Sequence, residues 1–228
     1  MTRHRLRARG IAQARLAELF DEGGCPLCRQ ATRSVDRFIG SMLWERVSDV
    51  SFQRELAEAR GFCGPHMTVV LAADRREMGG TLGTAILEGT VLAARLRELE
   101  EARRHRGRTR AKRLAEARVH PRCPVCVQRG IAVADAVAGL LETTDDPAWA
   151  DALGRAELCL DHLVLLMTEG SGSPGWLAIE DRQLGRLHEL RDRLTRFVHH
   201  SSHDRRHLLS GEEESATGQA ARALGGDT

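Results

Sequence analysis

All six cysteines of this 228-residue chain fall in two short patterns, and each pattern occurs twice. CPLC at Cys25 to Cys28 is followed by CGPH at Cys63 to His66. Further on, CPVC at Cys123 to Cys126 is followed by CLDH at Cys159 to His162. Each copy supplies three thiols and one imidazole, the Cys3His donor set of a closed tetrahedral zinc site. Taken in chain order, the spacing predicts one ion per copy, held by Cys25, Cys28, Cys63 and His66 in the first and by Cys123, Cys126, Cys159 and His162 in the second.

Two ligands three residues apart can address one ion when the first precedes a helix and the second lies in its first turn, and an intervening proline presets that turn. The unpaired N–H groups and positive dipole end of such a helix favour thiolate, the form that binds metal. Metal loading and folding then become one equilibrium. Four protein ligands leave no open position for water or substrate, which argues against a metallohydrolase and for structural Zn²⁺. An iron–sulfur cluster is the alternative metal, although such clusters normally take four cysteines. Oxidation of Cys25 with Cys28, or of Cys123 with Cys126, would eject the ion and make the protein a thiol-based, redox-sensitive zinc regulator.

The remaining polar groups read as structure. Glu45 and Asp49 recur as Glu142 and Asp146, which suggests a polar helix end followed by an Asp cap rather than an acid and base pair. His199, His203 and His207 recur every fourth residue and could line a helix face, here read as a fraying end. Arg103, Arg104, Arg106, Arg108, Arg110, Lys112 and Arg113 could meet phosphates, but no aromatics interleave with them, and a solvated linker is the simpler reading.

The elements that must position the cysteines are helices. Leu27, Ala31, Val35, Phe38, Met42 and Leu43 fall at spacings of three and four. A second helix, capped at Ser48-Asp49, carries Phe52 and Leu56 and ends at Gly61. A third runs through Met67, Val70 and Leu71 to Gly79-Gly80, and a fourth through Leu82, Ile86, Leu92, Leu96 and Leu99. The order repeats with Val127 to Leu141, Trp149 and Leu153, Leu163 to Met167, and Trp176 to Phe197. The offset between copies is 98 residues at CPxC and 96 at CxxH, the mark of an internal duplication. No alternating strand pattern competes, so the expected fold is all-α: two duplicated units of about four helices, each pinned by a Cys3His site. The expected division is a first unit over 1–100, a basic connector over 101–121, a second unit over 122–200 and a disordered tail over 201–228.

Lys and Arg number 34 against 32 Asp and Glu, giving a formal charge of +2, so the whole molecule is no polycation. With five Phe, three Trp and no Tyr, the cores must be largely aliphatic, and a metal pin would compensate for thin packing. The basic N-terminus runs into Glu18, Asp21 and Glu22 without an apolar core, unlike a secretory signal, and no 18-residue apolar run is expected to span a membrane. A cytoplasmic location follows, where CxxC pairs signify metal or redox chemistry more than structural disulfides.

The stretch Cys25 to Leu71, with CPLCR, LWERVSD and GFCGPH, resembles an uncharacterised bacterial family, a domain of unknown function, marked by CPxC and GFCxxH. The resemblance implies a helical metal-binding protein with Cys25, Cys28, Cys63 and His66 as motif positions. The second copy has ELCLDH in place of GFCGPH, which puts its loop geometry in question. No nucleophile triad, phosphate loop or cofactor fingerprint accompanies these motifs. The function expected from sequence is therefore a non-catalytic zinc-binding helical protein serving as an interaction or scaffold module for a protein partner or a second copy of itself.

Overall fold

The computed structural model of the chain describes residues 6–8, 10–119, 121–202 and 204–226. These form helices throughout, with no strand among the described residues. Helix α1 (Ile11–Leu19) ends in a tight turn, and α2 (Pro26–Ser41) widens into a π-helical turn at Met42–Arg46. Then come α3 (Val50–Glu58), α4 (Gly64–Met78), α5 (Leu82–Arg103) and α6 (Gly107–Arg118). The second half holds α7 (Pro124–Leu141), α8 (Pro147–Arg155), α9 (Leu160–Glu169), α10 (Pro174–His200) and α11 (Gly211–Gly225).

The all-α expectation holds, but the division into units differs from the expected one. A central unit spans Arg33–Ile131, and a terminal unit joins the chain up to Thr32 with the chain from Ala132 onward. The boundaries thus fall inside α2 and α7. Neither unit is a half of the sequence, because each buries apolar residues from both copies. The central core joins Ile39, Met42, Phe52, Leu56, Val70 and Leu87 with Cys123 and Val125. The terminal core joins Leu16, Leu19 and Leu27 with Val137, Leu140, Trp149, Leu153, Leu163, Trp176 and Ile179.

Local chemistry explains where the helices begin. Asp49 caps α3, accepting from the backbone N–H of Ser51 at 2.8 Å and of Phe52 at 3.4 Å. Asp146 caps α8 in the same way, from Ala148 at 2.9 Å and Trp149 at 3.4 Å. The matched acids are therefore caps, as the sequence suggested. The Ser51 hydroxyl, followed by its backbone N–H, holds the Asp49 carboxyl below the ordinary carboxylate value. Glu45 accepts from the Ser41 hydroxyl at 3.3 Å and Glu142 from Gln13 at 3.5 Å, and neither belongs to a metal-binding group. Buried Asp74 of α4 accepts from the N–H and the hydroxyl of Thr84 at 2.7 and 2.8 Å, fixing the start of α5.

Three expectations are corrected, and the structure adds which side of α5 meets the core. The 101–121 connector is the end of α5 and the whole of α6, which folds back along α5: Arg113 pairs with Glu101 at 3.8 Å, and Arg95 donates to the Ala117 carbonyl at 2.5 Å. The 201–228 tail contains α11, whose Ala216, Ala220 and Ala223 pack on Leu187, Leu190 and Leu194 of α10. Small alanines let the two helices approach closely, so packing compensates for the polar composition of the tail. On α5, the residues that mark the helix in the sequence are its exposed side: Leu82, Leu92, Leu96 and Leu99 face outward while Thr84, Leu87 and Ala102 are buried. Finally, α7 is long and apolar enough by composition to cross a membrane, with a mean hydropathy of 1.4 over 18 residues. Part of its apolar surface serves packing, because Val125 enters the central core and Ala136, Val137 and Leu140 the terminal one, while Val127 and Ile131 are exposed.

Candidate metal centres

All four doublets share one local geometry. The first cysteine of each precedes a helix and accepts the first helical hydrogen bond through its carbonyl: Cys25 from Arg29 at 3.1 Å, Cys63 from Met67 at 2.8 Å, Cys123 from Val127 at 3.1 Å and Cys159 from Leu163 at 2.9 Å. The second ligand is then the third helical residue, one turn further on. Both side chains project beyond the helix N-terminus, where the backbone N–H groups have no helical partner. In α7 this contact is visible directly, since the Cys126 N–H donates to Cys123 Sγ at 3.2 Å, as it would to a serine cap.

The doublets converge in crossed pairs. Cys25 and Cys28 meet Cys159 and His162 in the terminal unit, and Cys63 and His66 meet Cys123 and Cys126 in the central unit. Within each quartet the ligand atoms all lie within 4.8 Å of one another. The expected quartets, one per copy, are thus overturned, while all eight residues remain ligand candidates. The cause is the division of the fold: α2 and α7 each begin in one unit and end in the other, so each CPxC is separated from the CxxH of its own copy.

In the terminal centre, His162 Nδ1 stands 3.1 Å from Cys159 Sγ, 3.3 Å from Cys28 Sγ and 3.4 Å from Cys25 Sγ, and Cys28 and Cys159 are 3.6 Å apart. In the central centre, His66 Nδ1 stands 3.1 Å from Cys63, 3.2 Å from Cys126 and 3.3 Å from Cys123, and Cys63 lies 3.7 Å from both other sulfurs. Bonds of about 2.3 Å to sulfur and about 2.05 Å to nitrogen at tetrahedral angles would set sulfurs about 3.8 Å apart and sulfur about 3.6 Å from nitrogen. The distances given above match those edges to within about half an ångström, and every other ligand pair lies within 4.8 Å. Each can hold one ion.

The electrostatics of the two centres differ. Burial alone would lower the His162 pKa, but hydrogen bonds that the ring donates to the sulfurs of Cys159, Cys25 and Cys28 push the imidazole up to about 12. The sulfurs that would share a cation thus compete for a proton at the same point. His66 moves the other way, lowered by burial and by the Arg129 charge. Burial and the neighbouring sulfurs of Cys123 and Cys63 push Cys126 up to about 12. For Cys123 burial pushes upward, but hydrogen bonds from Cys63 and Cys126 outweigh it and hold the thiol below its ordinary value. The quartets also differ in access, all four ligands being buried in the terminal centre and only Cys123 in the central one.

Sequence reasoning missed the residues that hold the loops before each CxxH. Arg60, with a left-handed φ of 63°, donates to the carbonyls of Glu116, at 2.8 Å, and Val119. It thereby ties the turn ahead of Cys63 to the end of α6 ahead of Cys123. Gly61 follows with φ 90°, a conformation that favours glycine. The second copy needs no glycine there, because the chain leaves α8 through extended Ala156 (φ −63°, ψ 145°). Gln183 donates to the Leu153 and Ala156 carbonyls at 2.6 and 2.9 Å, and Arg186 to that of Leu158 at 2.7 Å. A left-handed Arg-Gly pair and a buried Gln thus solve the same problem, and only the glycine has a sequence signal.

Of the histidine series, His199 contacts Arg205, His207 is exposed and His203 lies outside the described residues. Among the described residues the two Cys3His quartets are the only groups able to hold a metal. No family model matches the chain, and no curated protein or solved structure matches it.

Proposed function

We propose that the chain is a two-centre zinc protein in which each Cys3His quartet binds one Zn²⁺ as a structural pin. The observation that carries this reading is the span of each ligand set, 4.8 Å at most. That span suits a single ion and leaves no room for the several irons and sulfides of a cluster. Three thiolates and an imidazole make a soft donor set that suits Zn²⁺ over magnesium or calcium. Closed ligation assigns the ion to folding rather than to chemistry on a substrate, and the crossed quartets make each ion a bond between the two copies of the motif.

A non-catalytic role in binding a protein partner or a second copy is supported by the outward apolar side of α5, where Leu82, Leu92, Leu96 and Leu99 are each at least 46% exposed. Elemental analysis of the purified protein tests the zinc reading. Two zinc ions per chain and a colourless solution are expected. Fewer than about one tightly held zinc, or a brown chromophore, would overturn it.

A further inference from the structure

The two quartets have the same donors but not the same access. In the terminal unit all four ligands are buried, and the residue that ends α11 lies against two of them, Cys28 and Cys159. Gly226, which follows α11 with φ 73°, is so close that a Cβ on it would stand 3.1 Å from Cys28 Sγ and 3.8 Å from Cys159 Sγ. Only glycine tolerates both that conformation and that contact. Helix α11 is fastened by a capping box between Ser210 and Glu213, and Glu213 reaches across to His200 at 3.1 Å and Arg196 at 3.3 Å. In the central unit Cys63, His66 and Cys126 are only half-buried, and the two half-buried sulfurs are 3.7 Å apart.

We infer that the central quartet is a peroxide-reactive thiol site, oxidised to a Cys63–Cys126 disulfide with release of its ion, while α11 and Gly226 seal the terminal quartet against the same reaction. This inference rests on the zinc reading above. The Cys63 sulfur attacks one oxygen of the hydroperoxide, the O–O bond breaks and hydroxide leaves, giving the sulfenic acid. The Cys126 sulfur then attacks the Cys63 sulfur, the S–S bond forms, the S–O bond breaks and a second hydroxide leaves. Two thiolates lose two electrons in all, the peroxide becomes two waters with two protons from solvent, and the ion departs because two of its four ligands are gone. The new bond would join the start of α4 to the start of α7.

The experiment uses the full chain, with zinc measured before any oxidant is added. Hydrogen peroxide is then added in portions while released zinc is followed with a chelating dye, and disulfides are mapped by peptide mass after blocking free thiols. One zinc per chain is expected to leave first, together with a Cys63–Cys126 bond, while Cys25, Cys28 and Cys159 stay reduced. Gly226→Val, or Glu213→Gln should the first variant fold poorly, is expected to make the terminal ion leave earlier and the central one on an unchanged schedule. Loss of both ions together, oxidation of the terminal thiols first, a mapped bond other than Cys63–Cys126, or no effect of either substitution would overturn the inference while leaving the zinc reading intact. Absence of zinc at the outset would overturn the zinc reading itself.

Discussion

Cys28 Sγ lies 3.3 Å from His162 Nδ1, although 134 residues of chain separate them. Cys28 stands much nearer in sequence to His66, the histidine of its own copy, yet shares its centre with the distant one. Each quartet therefore draws one doublet from each copy of the motif.

Paired substitutions distinguish crossed from uncrossed centres. Cys25→Ser with Cys159→Ser removes two ligands of one quartet, so one zinc per chain is expected to remain. Cys25→Ser with Cys63→Ser removes one ligand from each, and both ions are expected to bind weakly or not at all. Uncrossed centres would give the opposite result in zinc analysis.

Separating the copies should dismantle both centres. Fragments 1–121 and 122–228, expressed alone, each contain a full donor set in sequence but only half of each quartet in space. Neither is expected to hold zinc in a stable helical fold, whereas co-expression should restore both. A fragment that retains one zinc and cooperative unfolding by itself would contradict the interlocked arrangement.

Trp149 is fully buried, meets Phe20 edge-on at 5.9 Å and donates its indole N–H to the Arg7 carbonyl at 3.1 Å. Trp149→Ala should cost about 3–5 kcal/mol of stability through lost contacts and the cavity left behind. Asp146→Ala, which removes only the cap of α8, should cost about 1 kcal/mol. Chemical denaturation of the zinc-loaded chain, followed by far-ultraviolet circular dichroism, checks both values and their order.

The docking of α11 should be sensitive to acid. The His200 ring nitrogen, the Ser210 N–H and the Arg196 charge hold the Glu213 carboxyl below its ordinary value of 4.5. A depressed carboxylate stabilises the folded state above its unfolded pKa, and that stabilisation is lost as pH falls through the lower folded value. Amide exchange across Ala216 to Ala223 should therefore accelerate below about pH 4.5, earlier than in α8, and Glu213→Gln should remove that pH dependence.

Arg60 should matter to one centre alone. Its guanidinium bridges the turn before Cys63 and the end of α6 before Cys123, so Arg60→Ala frees both approaches to the central quartet. Faster zinc transfer to a chelator is expected from the central centre, with the terminal rate unchanged. Arg60→Lys should rescue little, because one ammonium cannot reproduce the fork that reaches two carbonyls.

Much of this was legible in the residues. The eight candidate ligands stand out because cysteine occurs nowhere else in the chain, and in three of the four doublets an intervening proline adds a local helix-start signal. Asp49 and Asp146 were legible as caps for the same reason, since capping depends on the next three residues only. The orientation of α5 was not, because apolar residues occur on both its faces and periodicity alone does not say which meets the core. Helix α11 was hidden by a composition rich in Gly, Ser and Glu, and its stability depends on a Leu stripe of α10 that a local reading cannot pair with it.

By itself, then, the sequence determined the helices that carry the four doublets, their starts and the identity of all eight candidate ligands, each set by interactions within a few residues. The tertiary structure alone decided which doublets converge and which quartet is fully buried. Two copies with identical donors at nearly identical separations permit either pairing. Only the long-range burial of both copies in each core, with α2 and α7 running from one unit into the other, selects the crossed one.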